Sequence, residues 1–278
     1  MKKHVIITSI DHRYGEFFIE HWLPSLQTNV LLKNIDVIVI DYGLTTRQKG
    51  ALIKNGVKQH AGHKKGHVVF SRFIDAGIIL DKTSYDQVLF VDGGDIIFQS
   101  DISELFKQNA SAFRIVPQDM EVLFHEIFIP GNFSSKHIDT IYKFLKNKPV
   151  LNAGFVLGPR LKFIELCKNI QRLIINTNAY GPDQVALNYL LHKERLVLLD
   201  KKYNFMLDSV REGFMLKDGV FYLKNGDIIP VVHNSGNISF WRPIDHFGYG
   251  KRYNTIKYPM YQIKKFIFHL LEIVKKQF

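Results

Sequence analysis

Three short apolar runs, each separated from the next by residues of helical period, leave this chain few ways to fold. Val5 to Ile10, Ile35 to Ile40 and Val88 to Val91 have the length and β-branched content of buried strands. Phe17 to Leu26, Thr45 to Asn55 and His67 to Leu80 read as helices between them. Strands that are apolar throughout, joined by helices, imply an α/β domain with a mixed, mostly parallel sheet flanked by helices. Ala112 to Val116, Phe155 to Leu157, Leu196 to Leu199 and Ile228 to Val232 add strand candidates. Leu161 to Ile175 and Pro182 to Leu191 add helices, the second opening on proline. Ser100 to Glu104 has the look of a helix start. Asp119 to Pro149, with weak periodicity and scattered breakers, reads as an insertion or flap. No repeat or low-complexity segment interrupts the chain.

The third strand candidate runs directly into Asp92-Gly93-Gly94-Asp95, after which apolar residues resume at Ile96 to Phe98. Two carboxylates at a strand end, separated only by glycines, suit a hard divalent cation and the phosphates it carries. An acidic hairpin tip built on Asp-Gly turn chemistry fits the same residues. After the first strand comes Asp11-His12-Arg13-Tyr14 rather than a glycine-rich loop, and no phosphate-loop motif occurs. An acid and an aromatic at that point can hydrogen-bond to and stack on a nucleobase, although turn aspartates are common.

Composition narrows the partners. The formal charge is +11, which fits nucleic acid, an anionic membrane surface or phosphorylated substrates. Lysines 257, 264, 265, 275 and 276 crowd the end of the chain around Ile263, Phe266, Ile267, Leu270, Leu271 and Val274 at helical spacing. That pattern is expected of a basic amphipathic helix over 256–278 lying on a membrane surface, or else docked on the domain core over 1–255. Basic residues concentrated at the terminus argue against a nucleic-acid-binding module. The chain holds a single cysteine, Cys167, which rules out an internal disulfide and fits a reducing compartment. Cys167 itself reads as inert core. With no secretory signal and no apolar run of spanning length, the expected location is cytoplasmic, peripheral on the inner face of the cell membrane.

In this order, the blocks resemble the GT-A glycosyltransferases, and most of all glycosyltransferase family 8, which holds bacterial lipopolysaccharide and lipooligosaccharide galactosyl- and glucosyltransferases. Asp11-x-x-Tyr14 resembles the nucleotide-base block, and Ser71-Arg72-Phe73 the segment whose basic residue reaches the donor. Asp92-Gly93-Gly94-Asp95 resembles the Asp-x-Asp motif, and Asn152-Ala153-Gly154 the strand beside the donor sugar. Asp183-Gln184-x-x-Leu187-Asn188, Tyr203-Asn204 and His233-x-x-Gly236 resemble the later blocks. The match covers residues 4 to 241. Two departures stand out. Two residues lie between the carboxylates rather than one, and Ser239-Phe240-Trp241 lacks the family's diphosphate lysine, leaving Arg242 as the nearest cation.

The resemblance implies a metal-dependent hexosyltransferase using a UDP-sugar, with retention, and an acceptor on a bacterial surface glycan (capsule or lipooligosaccharide). Asp92, Asp95 and His233 would hold Mn²⁺, with Mg²⁺ as an alternative. Asp11, Tyr14, Arg72, Asp92, Gly236 and Arg242 would bind the donor, and Asn152, Asp183, Gln184 and Arg72 would act at the transferred sugar. Asp119 is a looser candidate for a sugar hydroxyl, and Trp241 packs either the donor or the core. A sugar-phosphate or nucleotidyl transferase, and a catalytically degenerate GT-A partner subunit, are the alternatives. His60, His63 and His67 could be read as zinc ligands but fit a solvated basic loop better.

Overall fold

A computed structural model describes residues 2–118, 128–208, 213–236 and 242–257, together with Ile263 and Phe266. In chain order the first half comprises β1 (His4–Ile10), α1 (His12–Phe17), a π-helical turn (Phe18–Trp22), α2 (Leu23–Asn29), β2 (Ile35–Asp41), α3 (Thr46–Lys54), β3 (Lys58–Ala61), α4 (Val68–Asp81), β4 (Gln87–Val91), β5 (Ile96–Phe98) and β6 (Phe113–Pro117). There follow α5 (Ser135–Leu145), β7 (Leu151–Pro159), α6 (Arg160–Leu173), α7 (Pro182–Leu191), β8 (Leu196–Leu198), β9 (Phe205–Met206), β10 (Met215–Lys217), β11 (Val220–Tyr222), β12 (Val231–His233), β13 (Ile244–Asp245) and β14 (Thr255–Ile256).

Seven strands form the central sheet in the order β3-β2-β1-β4-β7-β6-β8. All neighbours are parallel except β7, which runs against both β4 and β6. The strands read as unbroken apolar runs because both faces are covered. Val5, Ile7, Val88 and Phe90 pack with residues of α4, α6 and α7 on one face. Ile6, Ile10, Leu89 and Val91 pack with Phe18, Trp22 and Leu26 on the other. A smaller sheet, β5-β12-β9, abuts the end of β4.

Three expectations shift. The Asp119 to Pro149 stretch contains a helix, α5, whose Ile138, Ile141 and Leu145 pack into the core; three contacts at that spacing suffice where propensity is weak. Ser100 to Glu104 leads only into a 3₁₀ turn at Ser103–Phe106, because the Asp101 carboxylate accepts from Leu31 N as well as from Ser103 N. Of Ile228 to Val232, only Val231 and Val232 enter a strand; Ile228 forms an isolated bridge with Tyr222. Asp119, Ser239-Phe240-Trp241 and nearly all of 256–278 lie outside the described residues.

Arg114 on β6 is fully buried, and among the described residues no carboxylate pairs with it. It donates to Leu105 O (2.6 Å), Gln108 O (2.8 Å) and Gln87 Oε1, and burial pushes its guanidinium down to about 10. Arg114→Met strands those three acceptors and is expected to cost about 2–4 kcal/mol in urea unfolding. An unchanged midpoint would show that the acceptors find other partners.

His21, in the π-helical turn, accepts from Tyr249 N (3.2 Å) and meets the Tyr253 ring edge-on at 4.4 Å, so it docks the 246–254 segment onto that turn. Burial lowers its pKa from 6.5, against a smaller upward pull from Glu20. The unfolded chain therefore binds this proton more readily than the native fold. The docking contact contributes in full above pH 6.5 and weakens as pH falls below it. His21→Asn is expected to reduce the loss of melting temperature between neutral pH and about pH 5. An identical acid loss in the variant would place the titration elsewhere.

Candidate active site

The acidic run sits where the two sheets meet. Asp92 N continues the β4 ladder by donating to Gly154 O on β7 (2.9 Å), and Trp22 Nε1 donates to Asp92 O (3.0 Å). Four residues later the chain enters β5, which pairs antiparallel with β12 so that His233 faces Ile96. Asn234 N donates to Asp95 O (2.9 Å), completing the junction. His233 Nε2 then lies 3.4 Å from Asp95 Oδ1 and 3.9 Å from Asp92 Oδ2. One ligand atom from each of Asp92, Asp95 and His233 falls within 4.8 Å of the others, and this is the one such His/Cys/Asp/Glu grouping among the described residues. Two carboxylates and an imidazole are a donor set for a divalent first-row cation or Mg²⁺. The second glycine does not carry either carboxylate out of reach.

The glycines here supply space, not unusual backbone. None of Gly93, Gly94 and Gly154 has a positive φ. A Cβ on Gly94 would lie 2.6 Å from the Tyr14 ring, and one on Gly154 would lie 2.7 Å from both Asn152 Oδ1 and Asp92 Oδ2.

A buried amide chain orients the imidazole. Asn152 Oδ1 accepts from Gly154 N (2.8 Å) and from Asn204 Nδ2 (3.0 Å). That commits Asn204 Oδ1 to His233 Nδ1 at 3.0 Å, so Nδ1 carries the proton and Nε2 is turned to the carboxylates. Burial pulls the His233 pKa down, but Asp95 and then Asp92 outweigh it and raise the value. Burial pushes Asp95 up, yet His233, Arg242 and Arg72 together hold its carboxyl below the ordinary range. The cluster therefore favours positive charge at its centre.

Arg72, buried on α4, donates to Asp92 Oδ1 and reaches Asp183 Oδ2 at 3.7 Å. Burial pushes the Asp183 carboxyl up to about 6 despite the opposing pull of Arg72. Arg242 donates to Asp95 Oδ2 (3.2 Å) and to Gly236 O (3.1 Å), where Gly236 has φ +129°. Asp92, Asp95, Asn152, Asp183, His233, Arg72 and Arg242 thus form one connected group. Gln184, on the first turn of α7, donates to Gln118 Oε1 (3.0 Å) and not to a member of that group. Asp11 caps α1 through Arg13 N (2.9 Å) and pairs with the Arg13 guanidinium. Tyr14, three residues on and 41% exposed, covers Gly94 and so brings the start of α1 to the cluster.

Tyr180 was not singled out by the sequence. Its ring meets those of His67 and Phe128 edge-on; although the residue is 43% exposed, partial desolvation and then the nearby charges of Asp183 and Asp92 push its hydroxyl up to about 12, and no spacing rule marks a tyrosine in the loop before α7. Asn204 carried a signal only as half of Tyr203-Asn204. The histidine array does not converge. His63 Nδ1 binds Asp75 Oδ1 (2.7 Å), while His67 caps α4 and meets the Tyr180 ring edge-on. Cys167 is buried, which raises its thiol pKa.

No family model matches the sequence, and no curated protein matches it. Solved structures do match in shape. The apo structure of the bifunctional glycosyltransferase WbbM aligns with TM-score 0.57 and 14% identity over 86% of this chain and 47% of that one. The galactosyltransferase LgtC, in complex with donor and acceptor sugar analogs, aligns with TM-score 0.51 and 14% identity over 85% of this chain and 89% of that one. The glycosyltransferase GlyE of Streptococcus pneumoniae TIGR4 aligns with TM-score 0.55 and 16% identity over 90% of this chain and 58% of that one. This chain spans less than two thirds of the WbbM and GlyE structures and most of the LgtC structure. At such identities the likeness is one of fold: the chain has the GT-A fold that LgtC and WbbM share.

Proposed function

We propose that this protein is a metal-dependent glycosyltransferase that moves a hexose from a UDP-sugar to a bacterial surface glycan, with retention of configuration. The observation that carries the reading is the Asp92–Asp95–His233 cluster, set in a GT-A fold where β4 ends. Asp92 and Asp95 supply oxygen ligands, and His233 supplies Nε2. Mn²⁺ suits that set, with Mg²⁺ as the alternative. Asp92, Asp95 and His233 would hold a divalent cation there, and it would supply Lewis-acid neutralisation of charge on the departing diphosphate.

The surrounding residues have separable tasks. Arg72 holds Asp92 in its ligating orientation and adds positive charge beside the sugar-bearing side of the site. Arg242, already on Asp95, stands where the family's diphosphate lysine is missing. Asp183 and Asn152 present hydrogen-bonding groups to the transferred sugar, and Gln184 joins them on release from Gln118. Tyr14 offers an exposed ring to the base, with Asp11 at the same helix start. The charge of +11 and the basic run over 256–278 support residence on the cytoplasmic face of an anionic membrane, near a lipid-linked acceptor.

A panel of nucleotide sugars, assayed for hydrolysis and transfer with and without EDTA, tests the reading. Turnover of a UDP-sugar is expected, lost in EDTA and restored by Mn²⁺. Turnover unaffected by EDTA would overturn the cation assignment, and no turnover of any donor would overturn the enzymatic reading.

A further inference from the structure

Beside the carboxylate cluster, next to Gly94 and Arg242, lies a cavity of about 210 Å³. Phe17, Gly94, Asn234, Arg242, Ile244 and His246 line it, together with Asp245, Phe247 and Lys257. Three features define what it can hold. Asn234 is 1% exposed, and its Oδ1 finds no hydrogen-bond partner among the described residues, while its Nδ2 makes only a 3.4 Å contact with Ile244 O. A buried amide oxygen left in that state costs stability unless a donor arrives. Phe17 and Phe247, whose rings stack on each other at 5.8 Å and 15°, supply the aromatic part of its lining. Arg242 and Lys257 bring cationic groups to its rim; Lys257 pairs with Asp245 (2.8 Å) and Arg242 with Asp95.

We propose that this cavity is a subsite for a single sugar ring bearing an anionic substituent, a carboxylate or a phosphate. A ring hydroxyl donates to Asn234 Oδ1, the C–H face of the ring lies against the aromatic pair, and the anion meets Lys257, leaving Arg242 to Asp95 and the donor. The volume suits one monosaccharide and falls below the range of pockets that take larger ligands. Its place next to Asp95 makes this ring part of the acceptor, and that last step rests on the transferase reading above; binding of the ring does not.

The test titrates the full chain, followed by amide chemical shifts, with glucuronic acid, glucose 6-phosphate and glucose, each with and without UDP and Mn²⁺. The two anionic sugars are expected to bind at least about fivefold more tightly than glucose, and to bind equally with UDP and Mn²⁺ present. Asn234→Leu removes the stranded oxygen, so it is expected to keep or raise the melting temperature while weakening anionic-sugar binding about tenfold. A purely structural asparagine would instead lose stability and leave binding unchanged. Lys257→Met is expected to narrow the preference for charged over neutral sugar, and it decides the matter should Asn234→Leu fail to fold. Displacement of the sugars by UDP would assign the cavity to the donor and overturn the proposal, as would equal binding of glucose or no binding of any sugar. Sugar binding in a protein that turns over no donor would retain the subsite and remove only its acceptor role.

Discussion

Asp95→Asn is expected to lower the rate of sugar transfer by about a thousandfold and to weaken Mn²⁺ binding by at least about a hundredfold. The substitution keeps the shape of the side chain and removes only its charge. In the native protein that charge faces His233 Nε2 at 3.4 Å and Arg242 Nη2 at 3.2 Å, inside a site where little water screens it. A neutral amide leaves Asp92 as the remaining carboxylate of the cluster, and Asp92 is already shared with Arg72. The cation would then face two basic groups and a single acid. Isothermal titration with Mn²⁺ and initial rates measured side by side check the result. Full activity in the variant would remove Asp95 from the site.

Gly154→Ala should have the next largest effect, although it changes no charge and adds one methyl group. The new Cβ would sit 2.7 Å from Asn152 Oδ1, 2.7 Å from Asp92 Oδ2 and 2.8 Å from His233 Cε1, closer than real Cβ contacts come. None of those atoms is free to retreat. Arg72 holds Asp92, Asn204 holds His233, and Asn204 with Gly154 N holds Asn152. Overpacking of this kind costs about 1–3 kcal/mol, and here the displaced atoms are the ligating ones. Mn²⁺ binding is expected to fall at least about tenfold. Gly158→Ala, further along β7, is the control: its Cβ would meet the Phe113 ring at 2.4 Å, so it should lose comparable stability yet keep cation binding. Equal cation binding in all three proteins would show that β7 gives way at Gly154.

The parts of the fold visible in the sequence are those whose local pattern has one physical solution. β1, β2 and β4 are apolar on both faces because both faces are covered, and that pattern survives without knowledge of the neighbours. Asp92 and Asp95 were legible because carboxylates flanking glycines at a strand end have few uses. The reversal of β7 was not legible, since a strand carries no mark of its direction; pairing with β4 and β6 decides it. Neither was Arg114, which as an isolated basic residue on an apolar strand gives no hint that backbone carbonyls await it. Asn204 is marked locally only by its tyrosine neighbour, because its partners Asn152 and His233 lie far away in sequence, and Tyr180 has no spacing of its own to announce it beside Asp183. The histidine array misleads for the opposite reason: its spacing is local, but its partners, Asp75 and Tyr180, are not.

The antiparallel pairing of β5 with β12 joins residues separated by half the length of the chain. Closing a loop that long costs conformational entropy, offset here by three residue pairs flanked by Asn234 N–Asp95 O (2.9 Å) at one end and Gln99 N–Pro230 O (2.7 Å) at the other. Two like charges at one end of the loop and an imidazole at the other make the closure electrostatic as well as steric. The seam that assembles the site is thus also a long-range fastener of the native chain. Competence for chemistry and completion of the fold then coincide at the same few residues, so partly folded chains have no assembled site with which to act.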